Sequence, residues 1–554
     1  MPADVELREP IERAMGYVER WAAALAELDA AAAVAGGDDR YIAEDLTHNA
    51  GRALDALLKG REATGRSVDG TVLAALRGVL FATLDNPTGF PAAWCRLADF
   101  YYDGQRPGMT CSPHNIREAV QALVELYRAG GDPEARRRLG TLLDSLLAIT
   151  DDDGLFRADQ IAAEPLLSGT VPFVDHQVIG EFYQSCTQNR GRLIMALTQA
   201  YRALGDPRAL ELAQRFVRLV RAEAFAEDGR LTHLAGNHTH SITGTVHGLA
   251  DWGLLAGDLD TLDHARRIMR VGLPPTCSSF GWSIEGAWRE AIPGRGEVNN
   301  TGDMVQAALI LGRAGWPGFF ESAERMIRSH VLPSQWRVGG QRGAGGQPYR
   351  QPADDPKNPP PRVPDGEDGG WGCPAVNDRY GGSRFGVLDI TQGGIQCLWA
   401  AIRDGIVQDD LGTAVNLLFS SRTPSLQVDS GLPRRGRLRI ATRGTGRAPA
   451  TLRVRRPSWL DGGRLAVRRD GIAERPSLTD GWMIVPLAGP ATVEITFPVA
   501  RRGGTEWVNH RPYRVVWAGD QVVAMDPKGE CAPMYPSAAE LNGRTEPGTG
   551  AGGG

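Results

Sequence analysis

A chain of 554 residues with a formal net charge of -5 and 42% hydrophobic residues is long enough for two globular domains, and too acidic for a nucleic-acid partner, which needs a basic face. Its seven scattered cysteines form no CxxC pair and read as reduced thiols, not a disulfide framework. The stretch MPADVELREPIERAMGYVERW is charged and amphipathic without the apolar centre of a signal peptide, and no apolar run reaches membrane-spanning length, so a cytoplasmic protein with no membrane partner is expected.

From about residue 10 the chain alternates helices and loops. EAVQALVELYRAGG, Glu118 to Gly131, has apolar residues at helical spacing and ends in glycine. Asp132-Pro133 then supplies an N-cap and a first helical position for the next helix. The unit recurs at Arg192 to Asp206, Thr245 to Asp258 and Thr301 to Trp316, each a helix, a tight turn and a second helix. Such an internal repeat amounts to roughly twelve helices. The hairpins are separated by long connections of uneven length, such as HLAGNHTHSITG and CSSFGWSIEGAWREAIPGRGEVNN. That unevenness favours a closed toroid of six hairpins, with its loops gathered around a pocket, over an open solenoid of constant period. Residues 337–386 are rich in Gly and Pro, and the first half reads as a lid. From about residue 412, RLRIATRG, ATLRVRRPSWL and ATVEITFPV alternate as short strands. The expected class is therefore mainly α with a β domain: an (α/α)6 toroid over 1–411, an antiparallel β-sandwich over 412–535 and a flexible Gly-rich tail over 536–554.

Four strings carry a family likeness: LAGNHTHSITGTVHGLADWGLLAGD, GEVNNTGDM, WGCPAVNDR, and DGIVQDDLGTAVNLLFSS followed by LRVRRPSWL. In this order they resemble glycoside hydrolase family 127, the β-L-arabinofuranosidases, over about residues 110–530. The resemblance implies a zinc ion held by one glutamate and three cysteines, one cysteine being the nucleophile, with a second glutamate as acid/base. Carried over, Glu297 keeps the metal glutamate, Asn299 stands where one cysteine is expected, and the cysteine pair becomes Gly372-Cys373, with the nucleophile position on Gly372. Only Glu297 and Cys373 remain of the metal set, so no cofactor is expected unless the family's zinc site survives. The acid/base falls on Glu285, with Glu290 as rival, and a metal-independent route would use Glu297 as base or nucleophile. Two pocket histidines of the family fall on Arg192 and near Arg117, where His114 competes, while His238 is retained. Two guanidiniums in place of imidazoles point to an anionic or uronic-acid-containing ligand.

Several residues carry a plainer reading beside the functional one. Cys373 may be read as a small buried residue or as a reactive thiol. Asp303 and Asp378 are replacement carboxylates or loop and helix-start residues. Glu297 and Asn299 precede a helix whose cap is Asn300 or Thr301. His233, His238, His240 and His247 fit no zinc spacing; His238 and His240 are read as sugar contacts and His247 as packed on a helix. Trp282, Trp288 and Trp371 lie in rim loops, with Trp371 expected to stack on a sugar. The sequence thus points to a glycosidase acting on a small saccharide, with Glu285, Glu297 and Cys373 as catalytic candidates. Arg117, Arg192, His238, His240, Asn299, Trp371 and Asp378 are the expected substrate contacts. A non-catalytic saccharide-binding relative and a uronate lyase or epimerase stand as alternatives, and a homodimer is left open.

Overall fold

The structure is a computed structural model that describes residues 3–38, 43–95, 108–168, 185–287, 294–337, 365–382, 385–442, 451–460, 464–487 and 489–543. Twelve helices of these residues build a toroid: α1 (Val5–Ala23), α2 (Ala50–Thr64), α3 (Gly70–Thr83), α4 (Pro113–Gly130), α5 (Pro133–Ile149), α6 (Arg192–Leu204), α7 (Pro207–Glu223), α8 (Thr239–Ala256), α9 (Leu259–Arg267), α10 (Val298–Arg313), α11 (Gly318–Met326) and α12 (Leu388–Gly405). The even-numbered helices pack in a closed inner ring, α2 on α4, α4 on α6, and so on until α12 meets α2. Each odd-numbered helix backs an inner one, and α1 closes the structure by backing α12. The expected (α/α)6 toroid is therefore present.

The hairpin turns follow from three residues. Gly131, Gly205 and Gly257 take positive φ (67°, 66° and 67°), the left-handed conformation that ends a helix most cheaply in glycine. The next residue, Asp132, Asp206 or Asp258, turns its carboxylate onto the first free N–H groups of the following helix. In α5 and α7 a proline occupies the first turn, where no donor is lost. The inner helices are almost wholly buried, and their apolar side chains form one continuous core.

The strands of the β domain begin at Ile406, directly after α12 and ahead of the expected boundary at 412. A seven-stranded and a five-stranded sheet enclose a second core around Val428, Ile440, Val454 and Met483. The sandwich departs from the expected antiparallel pattern at one place: Gly412–Val415 pairs in parallel with Thr451–Arg455. Ala3–Asp4 pairs with Ser421–Arg422, so the start of the chain is stitched to the sandwich. The strands Arg501–Val508, Arg511–Ala518 and Gln521–Asp526 form a separate sheet. Its apolar face packs on Phe280, Trp282 and Ile284 from the toroid loops, not in the sandwich core. That sheet therefore buttresses the segment that carries Glu285. Buried Arg455 ties sandwich to toroid, donating to Glu324 at 2.5 Å and to the Asn416 carbonyl at 2.8 Å. No helix of the described residues is long and apolar enough to cross a membrane.

The candidate lid and the Gly-rich tail lie outside the described residues for most of their length, as do Trp288 and Glu290.

Candidate active site

All six inner helices start at the same end of the toroid. Their first turns bring together Arg52 (α2), His114 and Arg117 (α4), Arg192 (α6), His240 (α8), Asn299 (α10) and Asp389 (α12). Helix N-termini carry unpaired N–H groups and partial positive charge, which adds to these guanidiniums and faces the carboxylates described below.

Beside them, four loop segments pair as a short irregular ladder. The Thr239 N–H donates to the Glu285 carbonyl (3.0 Å), Glu285 to Arg295 (3.1 Å), Glu297 to Ser283 (3.1 Å) and Gly296 to Pro374 (2.8 Å). The ladder places His238, Glu285, Glu297 and Cys373 on neighbouring segments although nearly 140 residues separate the first from the last. Glu285 sits across from Arg295, which donates to both carboxylate oxygens, one of them at 2.6 Å. Such a two-pronged salt bridge sets Glu285 against a fixed positive charge.

Glu297 is in a different state. It is the N-cap position of α10, buried, with one oxygen accepting from Asn299 at 2.8 Å and the other 3.9 Å from His238 Nε2. Burial, then the charges of Glu285 and Asp389, push its carboxyl up to about 8, against the pull of Asn299. Asn299 lies inside the first turn of α10, not ahead of the helix as expected, because the helix starts at Val298. It bridges the site: its oxygen accepts from Arg52 Nη2 (2.9 Å) while its amide donates to Glu297 and to Asp389 (3.3 Å).

Cys373 adjoins both glutamates, but burial and those negative charges push its thiol well up, so it stands as a neutral thiol.

A second network fills the floor. Arg192 donates to His240 Nε2 (2.9 Å) and to His114 Nδ1 (2.7 Å). His240 must then carry its proton on Nδ1, which donates to Asp303 at 2.8 Å. Burial pushes Asp303 up to about 6, while Arg192, desolvated beside Arg117, is pushed down to about 9. Arg117 is engaged by Glu118 through Nε (2.9 Å) and Nη2 (2.5 Å). Although burial disfavours its charge, Arg117, His48 and Arg52 hold Glu118 well below the usual carboxylate range. Arg117 is thus a charge partner within the protein and not the free ligand anchor expected of it. Arg52 shows the opposite: only 2% exposed, its Nε and Nη1 have no hydrogen-bond partner, and Asp389 lies 3.8 Å from Nη1.

Two expected contacts fall elsewhere. Trp371 does not face a ligand: it is fully buried, its indole N–H donates to the Val331 carbonyl (2.7 Å), and its ring lies against Gly394. Trp371→Ala is expected to cost about 3–5 kcal/mol in chemical denaturation; a sugar-stacking residue on an open rim would cost far less. Asp378 is a fastener, accepting from the backbone N–H groups of Tyr380 (3.0 Å), Cys531 (2.6 Å) and Ala532 (2.8 Å), which pins the end of the chain to the rim loop. Trp282, too, is buried, donating to the Pro374 carbonyl at 2.9 Å. His233 is in a short 3-10 turn apart from the cluster. The sequence reading passed over Arg52, Arg295 and Asp389. The signals were present: an arginine in the apolar run of α2, and a basic residue two positions before Glu297.

Zinc does not fit these residues. Of the four expected donors, two remain, Asn299 is already claimed by Arg52 and Glu297, and Gly372 offers none. Two guanidiniums, Arg52 and Arg295, border the place a dication would occupy, and the Arg52 Nε and Nη1 groups there lack hydrogen-bond partners. Glu44, His48 and His114 hold potential ligand atoms within 4.8 Å of one another, but the His114 nitrogen already faces the Arg192 guanidinium at 2.7 Å.

No family model matches the chain, and no curated protein matches it by sequence. Solved structures do. The GH127 β-L-arabinofuranosidase of Geobacillus stearothermophilus T6 superposes with a TM-score of 0.64 at 13% identity, covering 94% of this chain and 85% of that one. A second GH127 β-arabinofuranosidase gives 0.64 at 14% identity, covering 94% and 83%. A third structure, described as a glycoside hydrolase, gives 0.54 at 15%, covering 86% and 76%. Over nearly its whole length, this chain has the fold of the GH127 β-L-arabinofuranosidases.

Proposed function

We propose that the protein is a glycoside hydrolase that works without a metal ion, on a glycoside carrying a carboxylate. The observation behind this reading is the pair Glu285 and Glu297: adjacent segments of one ladder set one carboxyl group in a salt bridge with Arg295, while burial pushes the other up towards its protonated form. Two carboxyl groups in opposite protonation states are what acid-assisted glycosidic cleavage needs. Glu297 gives its proton to the departing glycosidic oxygen. Glu285 supplies the opposing negative charge, either attacking the anomeric carbon or taking a proton from the attacking water. Retention or inversion of configuration, read by NMR, separates those two routes. This division of labour reverses the one expected from the sequence, because Arg295 sits on Glu285 and the desolvation falls on Glu297.

The unpartnered N–H groups of Arg52, with Nε of Arg192, support an anionic substrate. Buried donors left unsatisfied are uncommon, and a planar carboxylate suits a guanidinium fork. Nitrophenyl uronides and their neutral parents test the reading. Cleavage of the uronide, unchanged by a chelator, is expected, and Arg52→Met should lower kcat/KM for the uronide by roughly tenfold or more while sparing the neutral parent. Stoichiometric zinc with arabinofuranoside cleavage would overturn it. Saturable uronide binding without turnover would move the reading to a saccharide-binding relative, which the glycine at position 372 favours.

A further inference from the structure

The toroid has a second cavity, of roughly 390 Å³, at the end opposite the glutamates. It lies on the barrel axis, because the C-terminal halves of all six inner helices line it, from Glu62 on α2 round to Arg403 on α12. Counting helical rise from Glu297 along α10 to its lining residues Gln306 and Ile310 puts it roughly 13–20 Å from the carboxyl pair. Its volume is in the range of small-molecule sites, about 300–1,000 Å³.

The charges on its wall are already balanced. Arg128, Arg202 and Arg403 face it together with Glu62, Glu125 and Asp251. Arg128 is paired with Glu125 at 2.6 Å, Arg202 with Asp251 at 2.6 Å, and Arg403 with nearby Asp404 at 2.7 Å. Each wall guanidinium thus has a carboxylate partner, and Glu62 accepts from the Trp399 indole at 2.9 Å, so the wall asks for no further anion. Aromatic stacking is not on offer either, since Lys59 and Arg403 lie over the Trp399 ring at 5.1 and 4.7 Å.

The unused hydrogen-bonding capacity belongs to uncharged groups on three consecutive inner helices. On α6 the Gln199 amide donates to the Met195 sulfur, a weak acceptor, at 2.8 Å. On α8 buried His247 has no partner at Nδ1, and burial holds it neutral, down to about 4. On α10 the Gln306 amide reaches only its own helix, at 3.4 Å from the Gly302 carbonyl. Beside them, ion-paired Arg202 and Asp251 on α6 and α8, and Arg128, Glu125 and Arg403 on α4 and α12, also line the cavity.

We propose that this far mouth of the toroid is a second binding site, for an uncharged polyhydroxylated molecule the size of a mono- or disaccharide. Hydroxyl groups both donate and accept, which matches a wall of amides, a neutral imidazole and mutually neutralised ion pairs. A charged ligand would unbalance it.

Titration of the full-length protein with cellobiose, and separately with citrate, tests the assignment by calorimetry. Saturable cellobiose binding is expected, weakened at least about fivefold in Gln199→Leu/Gln306→Leu and retained in Glu297→Gln. Crystals of the unaltered protein soaked in cellobiose should show the sugar between Gln199, His247 and Gln306, which keeps the test independent of how the double variant folds. Binding lost in Glu297→Gln but kept in the double variant would place the sugar at the catalytic end and overturn the proposal, as would tighter binding of citrate or no density in the far cavity.

Discussion

Glu297→Gln should slow glycoside cleavage by about 10²–10⁴-fold, the usual worth of a positioned general acid. The pH profile is the sharper readout. In the unaltered protein the rate should fall as pH rises through about 8, where Glu297 loses the proton it must give. The glutamine variant should lack that alkaline limb. Stability supplies a check that does not involve substrate. The folded-state value of Glu297 lies above its ordinary value of 4.5, so the folded protein keeps a proton that the unfolded chain releases. Folding stability from this group is therefore present at low pH and lost as pH rises from about 4.5 to about 8. Glu297→Gln cannot ionise, so its melting temperature relative to the parent should climb across that window and level off above it. A difference that stays flat with pH would mean Glu297 is ionised in the folded state, and the proposed acid would be gone.

Gly372→Cys should fail to rebuild a metal-thiolate site and should destabilise the protein by about 3 kcal/mol or more. A Cβ at this position would stand 1.9 Å from the Phe385 carbonyl oxygen and 3.1 Å from its carbon. The two backbone segments cannot separate freely, since the Val387 N–H donates to the Trp371 carbonyl at 2.7 Å. Adding Asn299→Cys would remove the acceptor for Arg52 and leave that guanidinium beside the new thiols. Thermal unfolding and metal content of the purified variants measure both claims. Full stability with one zinc per chain would show that the glycine only marks a recent loss and that the surrounding backbone still fits the thiol. The prediction rests on backbone against backbone, where no side-chain rotation offers relief.

The repeat, the turns and the class of each domain were readable along the chain because they depend on neighbours in sequence. Gly131-Asp132-Pro133 and its kin write a helix stop and a helix start within three residues, and the strand alternation after about residue 412 is equally local, although the first strand of the domain, Ile406–Asp409, is not set apart by sequence from the helix before it. The likeness at GEVNNTGDM and WGCPAVNDR pointed to loops that the fold brings together, with Glu285, Glu297 and Cys373 on one ladder. Only the folded chain decided what each group is there. Trp371 and Asp378 looked like rim residues because they lie in a Gly-rich loop, yet that loop is bonded into the core and to residues 531 and 532. Arg117 and Arg192 looked equally available, and Glu118 and the two imidazoles engage them, whereas Arg52, from a helix more than 60 residues earlier, keeps two donors without partners. Burial and charge pairing are set by contacts between distant segments. The sequence by itself therefore determined where most helices, strands and chemistry-bearing loops lie, while the burial of Glu297 and Cys373 and the partners of Arg52, Arg117 and Arg295 came from the tertiary structure alone.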